Sequence, residues 1–490
     1  MKSVVTKMTS TMARKPPGDI SSVFPSLSGK PVEPLPSKFK DIQARLTTGK
    51  EQVIAQSWHR LITSLDQCNS EIKSLGTGII PIIDANSDLI YDPESKRHVF
   101  SAEAIAKITK AGTAVIRNAV PKNVARQYKY DLDDYIAKNP VKGFPAEKPT
   151  VFELYWSPSQ IKARSHPGLL RVQEALLNIW HGCDNDSPIV TRAPLVYADR
   201  LRIRLPGDSK FRLGPHMDGG SVERWEDLEY SNVYNEIHNG NWETYDAFDY
   251  THRLTAKSDL HQGGGACGAF RMFQGWLSMS ETGPGEGTLQ VYPNIVHSTA
   301  YTMLRPYFAP RHSFDSDSGV YDPNDNSDLK NWAFVAPTNI FPNSVPGAGQ
   351  ELNEKTHPHL DLSETMVSMP QVYPGDYVVW HCDMIHAVES IHRGTGDSSV
   401  MYIPVVPLTA NNVEHLAQTK LCFETLEPPP DFPGGVGEKG FQGVGTLNDI
   451  DSEIGLQAFG YGQPLDISKA RTAGEKDVID MANNTLWSPA

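Results

Sequence analysis

The sequence predicts a mainly β protein of the sandwich or jelly-roll kind, with helices at both ends and long insertions between strands. Three observations predict it. Between about residues 195 and 408 the text becomes a series of short β-like runs, LVYADRLRIRL, GAFRMFQGWLSMS, GTLQVYP, TMVSMPQVY, GDYVVWH and SSVMYIPVVP, punctuated by Gly and Pro. These runs are not interleaved with helices in the units of ~30 residues that a parallel α/β sheet requires. No internal repeat divides the 490 residues, so one elaborated domain is expected over 38–490.

The elements follow in order. Residues 1–37 read as a disordered tail, basic and rich in Ser and Thr at its start, free of acid until Asp19, then Pro-rich. That opening also has the composition of a transit peptide. A helical arm is expected over 38–150, because Ile42, Leu46, Val53, Ile54, Trp58, Leu61 and Ile62 recur at helical spacing. Within it, Ser101 should cap one helix, Thr113 to Arg117 should form a short strand, and Pro121 should open a second helix. The jelly-roll core occupies about 195–408. A helical and loop extension over 409–490 starts with NNVEHLAQTKLCFETL and continues through the Pro/Gly loop PPPDFPGGVGEKGFQGVGT.

Composition excludes several classes. Hydrophobic content is 39% and charged content 21%, and no apolar run approaches the ~18 residues of a membrane span. A net charge of −13 argues against a general nucleic-acid binder, which needs a basic face. Five scattered cysteines form no pairwise motif and suit a reducing compartment. The expected location is therefore cytoplasmic, with the mitochondrion as the alternative.

The stretch RLGPHMDGGSVERW raises the question of chemistry. With 16 His and 58 Asp plus Glu, chance alone predicts about two His-x-acid triplets. Three occur: His216-Met-Asp218, His359-Leu-Asp361 and His381-Cys-Asp383. A two-His, one-carboxylate face on iron needs two ligands from one strand end and a third from a distant strand, with neighbouring coordination positions left open. His216 and Asp218 meet the first condition, because residues i and i+2 of an extended chain point to one side. The third ligand is supplied far downstream by PGDYVVWHCDMIHAVE, which holds His381 and His386. His359 lies in a polar, Pro-broken loop, and His381-Cys-Asp383 has only close histidines after it. The reading is that His216, Asp218 and His386 are metal ligands and catalytic residues, against the alternative of a satisfied structural His/Asp pair.

GDYVVWHCDMIH resembles the distal strand of the phytanoyl-CoA-dioxygenase-like Fe(II)/2-oxoglutarate oxygenases, in which the metal-binding His stands five residues after another His. GWLSMSETGPGEGTLQVYP and KAGTAVIRNAVP are similar to other segments of that superfamily. HMDGGSVERW with WHCDMIHAVE and YIPVVP resembles the YbiU-type family of dioxygenases, over most of the chain from about residue 38. The resemblance implies a double-stranded β-helix, Fe(II), and 2-oxoglutarate as cosubstrate. It implies O2-driven decarboxylation to succinate and CO2, coupled to hydroxylation of a small molecule. Asp218 stands where related halogenases have Ala or Gly, which favours hydroxylation.

One feature departs from that pattern. The superfamily carries an Arg or Lys about ten residues beyond the distal His, paired with the far carboxylate of 2-oxoglutarate. Here position 397 is Asp, followed by Ser398 and Ser399. The replacement candidates are Arg393 first, then Arg271, with Arg204 and Arg202 on the RLRIRL strand, and Ser399 counted among the cosubstrate-binding residues. The missing cation leaves two rivals open: a catalytically silent jelly-roll binding protein, and a cupin-like metalloenzyme without 2-oxoglutarate. His381 is either a neighbour supporting the iron or a core His bonded to backbone. The acid- and aromatic-rich stretch from Ser221 to Tyr250 is either a substrate lid or a helical insertion packed on the barrel. GDSK and GGGACG read as flexible turns without phosphate-loop spacing.

Overall fold

In the computed structural model the described residues are 15–18, 20–28, 33–184, 186–209, 212–311 and 331–487. The start of the basic N-terminal segment, and with it the transit-peptide reading, lies outside them. Two sheets make the centre. The larger has eight strands in the order Ile82–Asp84, Thr113–Arg117, Tyr377–His381, Phe273–Ser278, Ser398–Tyr402, Leu201–Arg204, Val151–Phe152 and Gly143–Phe144. All its pairings are antiparallel except the first, which is parallel. The smaller has five strands in the order Gln350–Glu351, His216–Met217, His386–Val388, Leu289–Val291 and Val367–Ser368, all antiparallel.

The central strands Phe273–Ser278, Tyr377–His381 and Leu201–Arg204 are buried at every position. A strand covered on both faces loses the in/out alternation that marks a solvated sheet, and this explains near-continuous apolar runs such as YVVW. One face of the large sheet lines the cavity described below. On the other, the helix Pro167–Leu177 reaches the sheet through Gln173, which donates to the Tyr377 hydroxyl at 3.4 Å and the Pro404 carbonyl at 3.1 Å.

The mainly β expectation is corrected: helix exceeds strand, and the fold is mixed. The insertions hold helix rather than strand. Residues 221–254 form short helical turns, and Ile295–Leu304 forms a full helix buried against the helix Glu51–Leu75. The arm is not purely helical either, since its strands at 82–84, 113–117 and 143–144, with 151–152 just beyond it, widen the large sheet at both edges.

In the arm, the helix Glu51–Leu75 buries Ile54, Trp58, Leu61, Ile62, Leu65 and Ile72 along one stripe. Each fully buried apolar side chain of this kind contributes roughly 1.5–3 kcal/mol. Trp58 stacks on Phe308 at 4.3 Å. Val53, expected on that stripe, is 45% exposed. Ser101 caps Ala102–Ala111 by accepting from the Ala104 N–H, and Pro121 directly precedes Lys122–Lys138, as their positions suggested. The helix Ala410–Thr425 opens the C-terminal extension, which gathers a second apolar cluster around Leu408, Leu416, Phe423 and Val478.

The expected disordered tail is also corrected where it is described. Lys15 donates to the Ala266 carbonyl at 2.7 Å and pairs with Asp431 at 2.7 Å. The Gly349 N–H donates to the Val23 carbonyl at 2.9 Å, and Phe24 is nearly buried. Apolar Ile20 and Phe24 give this strap something to bury, which the Pro-rich composition disguised. Among the described residues no helix is long and apolar enough to cross a membrane. All five cysteines are free.

Candidate metal centre

The two sheets meet around a cavity of about 160 Å³. His216 begins its strand directly opposite His386, its register partner, so backbone pairing alone brings the two imidazoles together. Their ring centroids are 4.1 Å apart. Asp218 follows two residues after His216, and its carboxylate oxygens lie 3.9 Å from the His216 Nε2 and 3.5 Å from the His386 Nε2. The potential ligand atoms of all three residues fall within 4.8 Å of one another.

Each histidine is oriented by its other nitrogen. The His216 Nδ1–H donates to the Gly214 carbonyl at 2.6 Å, and the His386 Nδ1–H donates to the Met384 carbonyl at 2.9 Å. Both bonds leave the Nε2 lone pair facing the shared centre, the arrangement by which metal-ligating histidines are held. Burial, with help from His386, pushes His216 down to about 4. Burial alone would raise Asp218, but hydrogen bonding to His386 and the charges of His216, His386 and Arg271 hold it well below the usual carboxylate range. A neutral imidazole beside an ionised carboxylate is the protonation pattern that a divalent ion needs.

Asp218 is held from behind. Gly219 and Gly220 carry φ of +77° and +85°, and a Cβ on Gly220 would sit 2.5 Å from the Ser258 carbonyl. The turn they make presents two carbonyls to Arg224, which donates to Asp218 O at 2.6 Å and Gly220 O at 2.5 Å. Arg224 pairs with Asp383 at 3.4 Å, and Asp383 also pairs with Arg253 at 2.7 Å and accepts from the Tyr234 hydroxyl at 3.1 Å. Burial would raise the Asp383 carboxyl, yet the two guanidiniums hold it well below its ordinary range.

The rival cluster of His381, Cys382 and Asp383 has little left to offer a metal. The His381 Nδ1 accepts the Asp383 N–H at 3.0 Å, and its Nε2–H donates to the Ala247 carbonyl at 2.8 Å. Its ring stacks on Trp180 at 4.9 Å. His359 is buried elsewhere, bonded to the Tyr301 hydroxyl at 3.1 Å.

The cosubstrate candidates separate by position. The Arg393 side chain is exposed and absent from the cavity wall, while its N–H ties the loop to Gly285. Ser399 faces away, because Ser398, Val400 and Tyr402 are the cavity-lining positions of its strand; its hydroxyl donates to Asp397 at 2.6 Å. Asp397 is in turn paired with Arg126 at 2.8 Å, which gives the unexpected acid a local partner. Arg204 lines the cavity, but its guanidinium N–H groups go to the Asp208 carboxylate and the Asp208, Gly287, Glu389 and Ser390 carbonyls. Arg202 and Arg271 both line the cavity.

Sequence reasoning missed several cavity residues. Gln274 Nε2 and Thr288 Oγ1 are buried on the wall with no hydrogen-bond partner among the described residues. The alternation used for His216 and Asp218 also puts Gln274, Trp276 and Ser278 on one face, so that signal was available. Arg224 had none. The aromatics of the 221–250 insertion are mostly core: Trp225, Tyr230, Tyr234, Trp242 and Tyr245 are buried. Gly375 of the Gly-Asp pair has φ +93°, and a Cβ there would run into the Val120 carbonyl.

Fold and site together define a mixed α/β protein with a two-histidine, one-carboxylate centre between two sheets. Residues 33–461 match the Gig2-like family, and the chain belongs to it. The uncharacterised protein YbiU of Escherichia coli K12 is 30% identical over 414 residues, spanning 82% of this chain and 90% of the relative. The crystal structure of GlcNAc Inducible Gene 2, GIG2, from Candida albicans matches with a TM-score of 0.81 at 29% identity, covering 93% of this chain and 96% of that one. A candidate oxidoreductase of Salmonella typhimurium LT2 matches with a TM-score of 0.68 at 27% identity, covering 86% and 96%.

Proposed function

We propose that this chain is an Fe(II)- and 2-oxoglutarate-dependent oxygenase of a small molecule, built on a double-stranded β-helix core. The observation that carries the reading is the convergence of His216 Nε2, His386 Nε2 and the Asp218 carboxylate on one point of the cavity wall, each histidine locked by a backbone carbonyl. Iron held there would couple the decarboxylation of 2-oxoglutarate by O2 to the hydroxylation of a C–H bond.

The protein's own contribution is to hold three ligands on one side, leave the other side to the cavity, and limit water. Phe24 packs edge-on against the His216 ring at 4.7 Å and closes one approach. The end of the cavity formed by Ser278, Thr288, Arg202 and Ser398 is polar and buried. An ionised carboxylate in such a place requires a cation and hydrogen-bond donors, since leaving it unmatched costs several kcal/mol. We assign the far carboxylate of 2-oxoglutarate to this end, with Arg202 as its cation in place of the expected Arg393. Arg202 projects from Leu201–Arg204, the direct neighbour of Ser398–Tyr402, with Arg202 paired opposite Val400. A cation on the adjacent strand thus reaches the space that one on the distal strand would fill.

The test is anaerobic addition of Fe(II) and 2-oxoglutarate. The expected result is a weak visible charge-transfer band in the wild type. It should be lost in His386→Ala, and it should need at least tenfold more 2-oxoglutarate in Arg202→Gln, a change of ~1.4 kcal/mol. No band in the wild type would refute the reading.

A further inference from the structure

We propose that Arg271 binds the carboxylate of the primary substrate, so that the molecule oxidised is a monoanion. This rests on the oxygenase reading above and specifies its substrate class. A second, larger cleft of about 730 Å³ adjoins the metal cavity, and Gly219, Cys267 and Arg271 line both. Arg271 therefore stands where the outer cleft opens onto the inner cavity, beside the turn that carries Asp218.

Position along the strands separates this end from the polar end. Gln274 pairs with Trp380, whose ring lies 5.2 Å from that of His386, which sets the level of the metal ligands on the large sheet. Arg271 precedes that level by three residues. Ser278 lies four residues beyond it and pairs with Val400, the register partner of Arg202. At ~3.3 Å per residue in a strand, Arg202 and Arg271 fall on opposite sides of the triad. One carboxylate-binding end serves the cosubstrate, and the other faces the cleft by which a second molecule enters.

The charge of Arg271 is left over. Among the described residues its guanidinium makes no hydrogen bond and no ion pair, and it lies over the Tyr197 ring at 5.8 Å. The other cations at this end are paired or solvated: Lys15 is held by Asp431 and Asp259, Arg253 by Asp383 and Arg200 by Asp199, while Lys257 is exposed on the rim of the outer cleft. Burial opposes the Arg271 charge, while the neighbouring Cys267 and Tyr197, and after them Asp218 and Asp199, favour it; Asp199 is already paired with Arg200, and a divalent ion at the triad would claim the Asp218 carboxylate. One unmatched guanidinium calls for one negative charge, and its planar fork suits a carboxylate. A phosphate monoester, at ≈ −1.5 to −2 near neutral pH, would bring more charge than the single half-buried guanidinium matches.

The experiment uses the full chain loaded with Mn(II) and 2-oxoglutarate. Binding of hexanoate and of its uncharged counterpart hexanamide is measured by titration calorimetry in the wild type, Arg271→Gln and Arg271→Lys. The expected result is a preference for hexanoate of tenfold or more in the wild type, equivalent to ~1.4 kcal/mol. Arg271→Gln should abolish it and Arg271→Lys should keep part of it, both with 2-oxoglutarate affinity within threefold of wild type. Retained 2-oxoglutarate binding also reports that the variants are folded. The proposal is overturned if hexanoate fails to bind the wild type, if hexanamide binds equally well, or if Arg271→Gln keeps the preference. A tenfold loss of 2-oxoglutarate affinity in Arg271→Gln would likewise overturn it, by making Arg271 the cosubstrate anchor. If the wild type binds no 2-oxoglutarate yet prefers hexanoate through Arg271, the oxygenase reading fails while the carboxylate site stands.

Discussion

Replacing Asp383 by Asn separates the metal triad from its rival, because Asp383 is an acid with a different task. Its carboxylate is fully buried and faces two guanidiniums, Arg253 at 2.7 Å and Arg224 at 3.4 Å. Removing that charge leaves both cations in the interior without it, and breaking a buried pair in this way costs about 3–5 kcal/mol. At ~2.1 cal/mol/K per residue, the unfolding entropy of 490 residues is about 1 kcal/mol/K, so Tm should fall by about 3–5 °C. Metal should still bind at one ion per chain. Its affinity should drop, on the order of 10–100-fold, because Arg224 holds the Asp218 and Gly220 carbonyls and thereby aims the Asp218 carboxylate. Asp218→Asn should do the reverse, losing the ion with little change in the melting of the metal-free chain. The assay is calorimetric melting of both variants, with metal stoichiometry after dialysis against Fe(II) or Mn(II). An unchanged Tm together with complete loss of metal in Asp383→Asn would make Asp383 a ligand and refute the argument.

The remaining predictions use the same measurements. His216→Ala and His386→Ala should lose the ion while His381→Ala keeps it, since both His381 nitrogens are engaged by backbone; equal loss in all three would return the role to His381. Burial pushes His238 and His381 down to about 3, below the ~6.5 of an unfolded chain. The unfolded chain therefore takes up protons first on acidification. The stability they contribute is fully present above about pH 6.5 and is lost as pH falls towards 3, at up to about 2.7 kcal/mol per unit for the pair. Denaturant titrations showing constant stability from pH 7 to 4 would contradict this. Phe24→Ala removes a nearly buried ring worth about 3 kcal/mol, so exchange of the Gly349 amide, which donates to Val23, should accelerate on the order of a hundredfold. An unchanged rate would mean that the strap is held elsewhere.

The candidate metal centre was legible because its parts obey local rules. His216 and Asp218 are two residues apart in an extended chain, and the strand PGDYVVWH led to the histidines of the second segment. Capping at Ser101 and the turn at Pro121 are equally local. The balance of helix and strand was less visible. The stretch from Ser221 to Tyr250 carries acids and aromatics in no clean period, and its aromatics are buried by tertiary packing that short helical turns make possible. The strap was hidden because Ile20 and Phe24 are two apolar residues in a polar, Pro-rich context, and only the groove at Gly349 and Val151 gives them somewhere to go. Arg393 was favoured for its place in the chain after His386. The register of Ser398–Tyr402 with Leu201–Arg204 is long-range, and it brings Arg202 to the cavity wall, where we propose that it serves instead.

The centre also shows why its ligands can sit on strands of only two and three residues. His216–Met217 and His386–Val388 are too short to be rigid by themselves, yet each histidine is fixed twice, by the cross-strand pairing of the two residues and by a carbonyl two positions before it. Asp218 has no strand at all. Its position follows from two left-handed glycines and a buried arginine whose own charge is answered by Asp383, 165 residues further on. The geometry of the candidate ligands is thus set by bonds within the chain itself. A site arranged this way has its imidazole lone pairs and its ionised carboxylate in place before the ion arrives, so little of the binding energy is spent on ordering the chain. The same logic explains why the structural acid lies within the triplet HCD, so close in sequence to His386. The strand that ends at His381 must turn tightly to deliver His386, and Asp383 secures that turn to the insertion that carries Arg224 and Arg253, joining the two halves of the candidate site through one buried charge network.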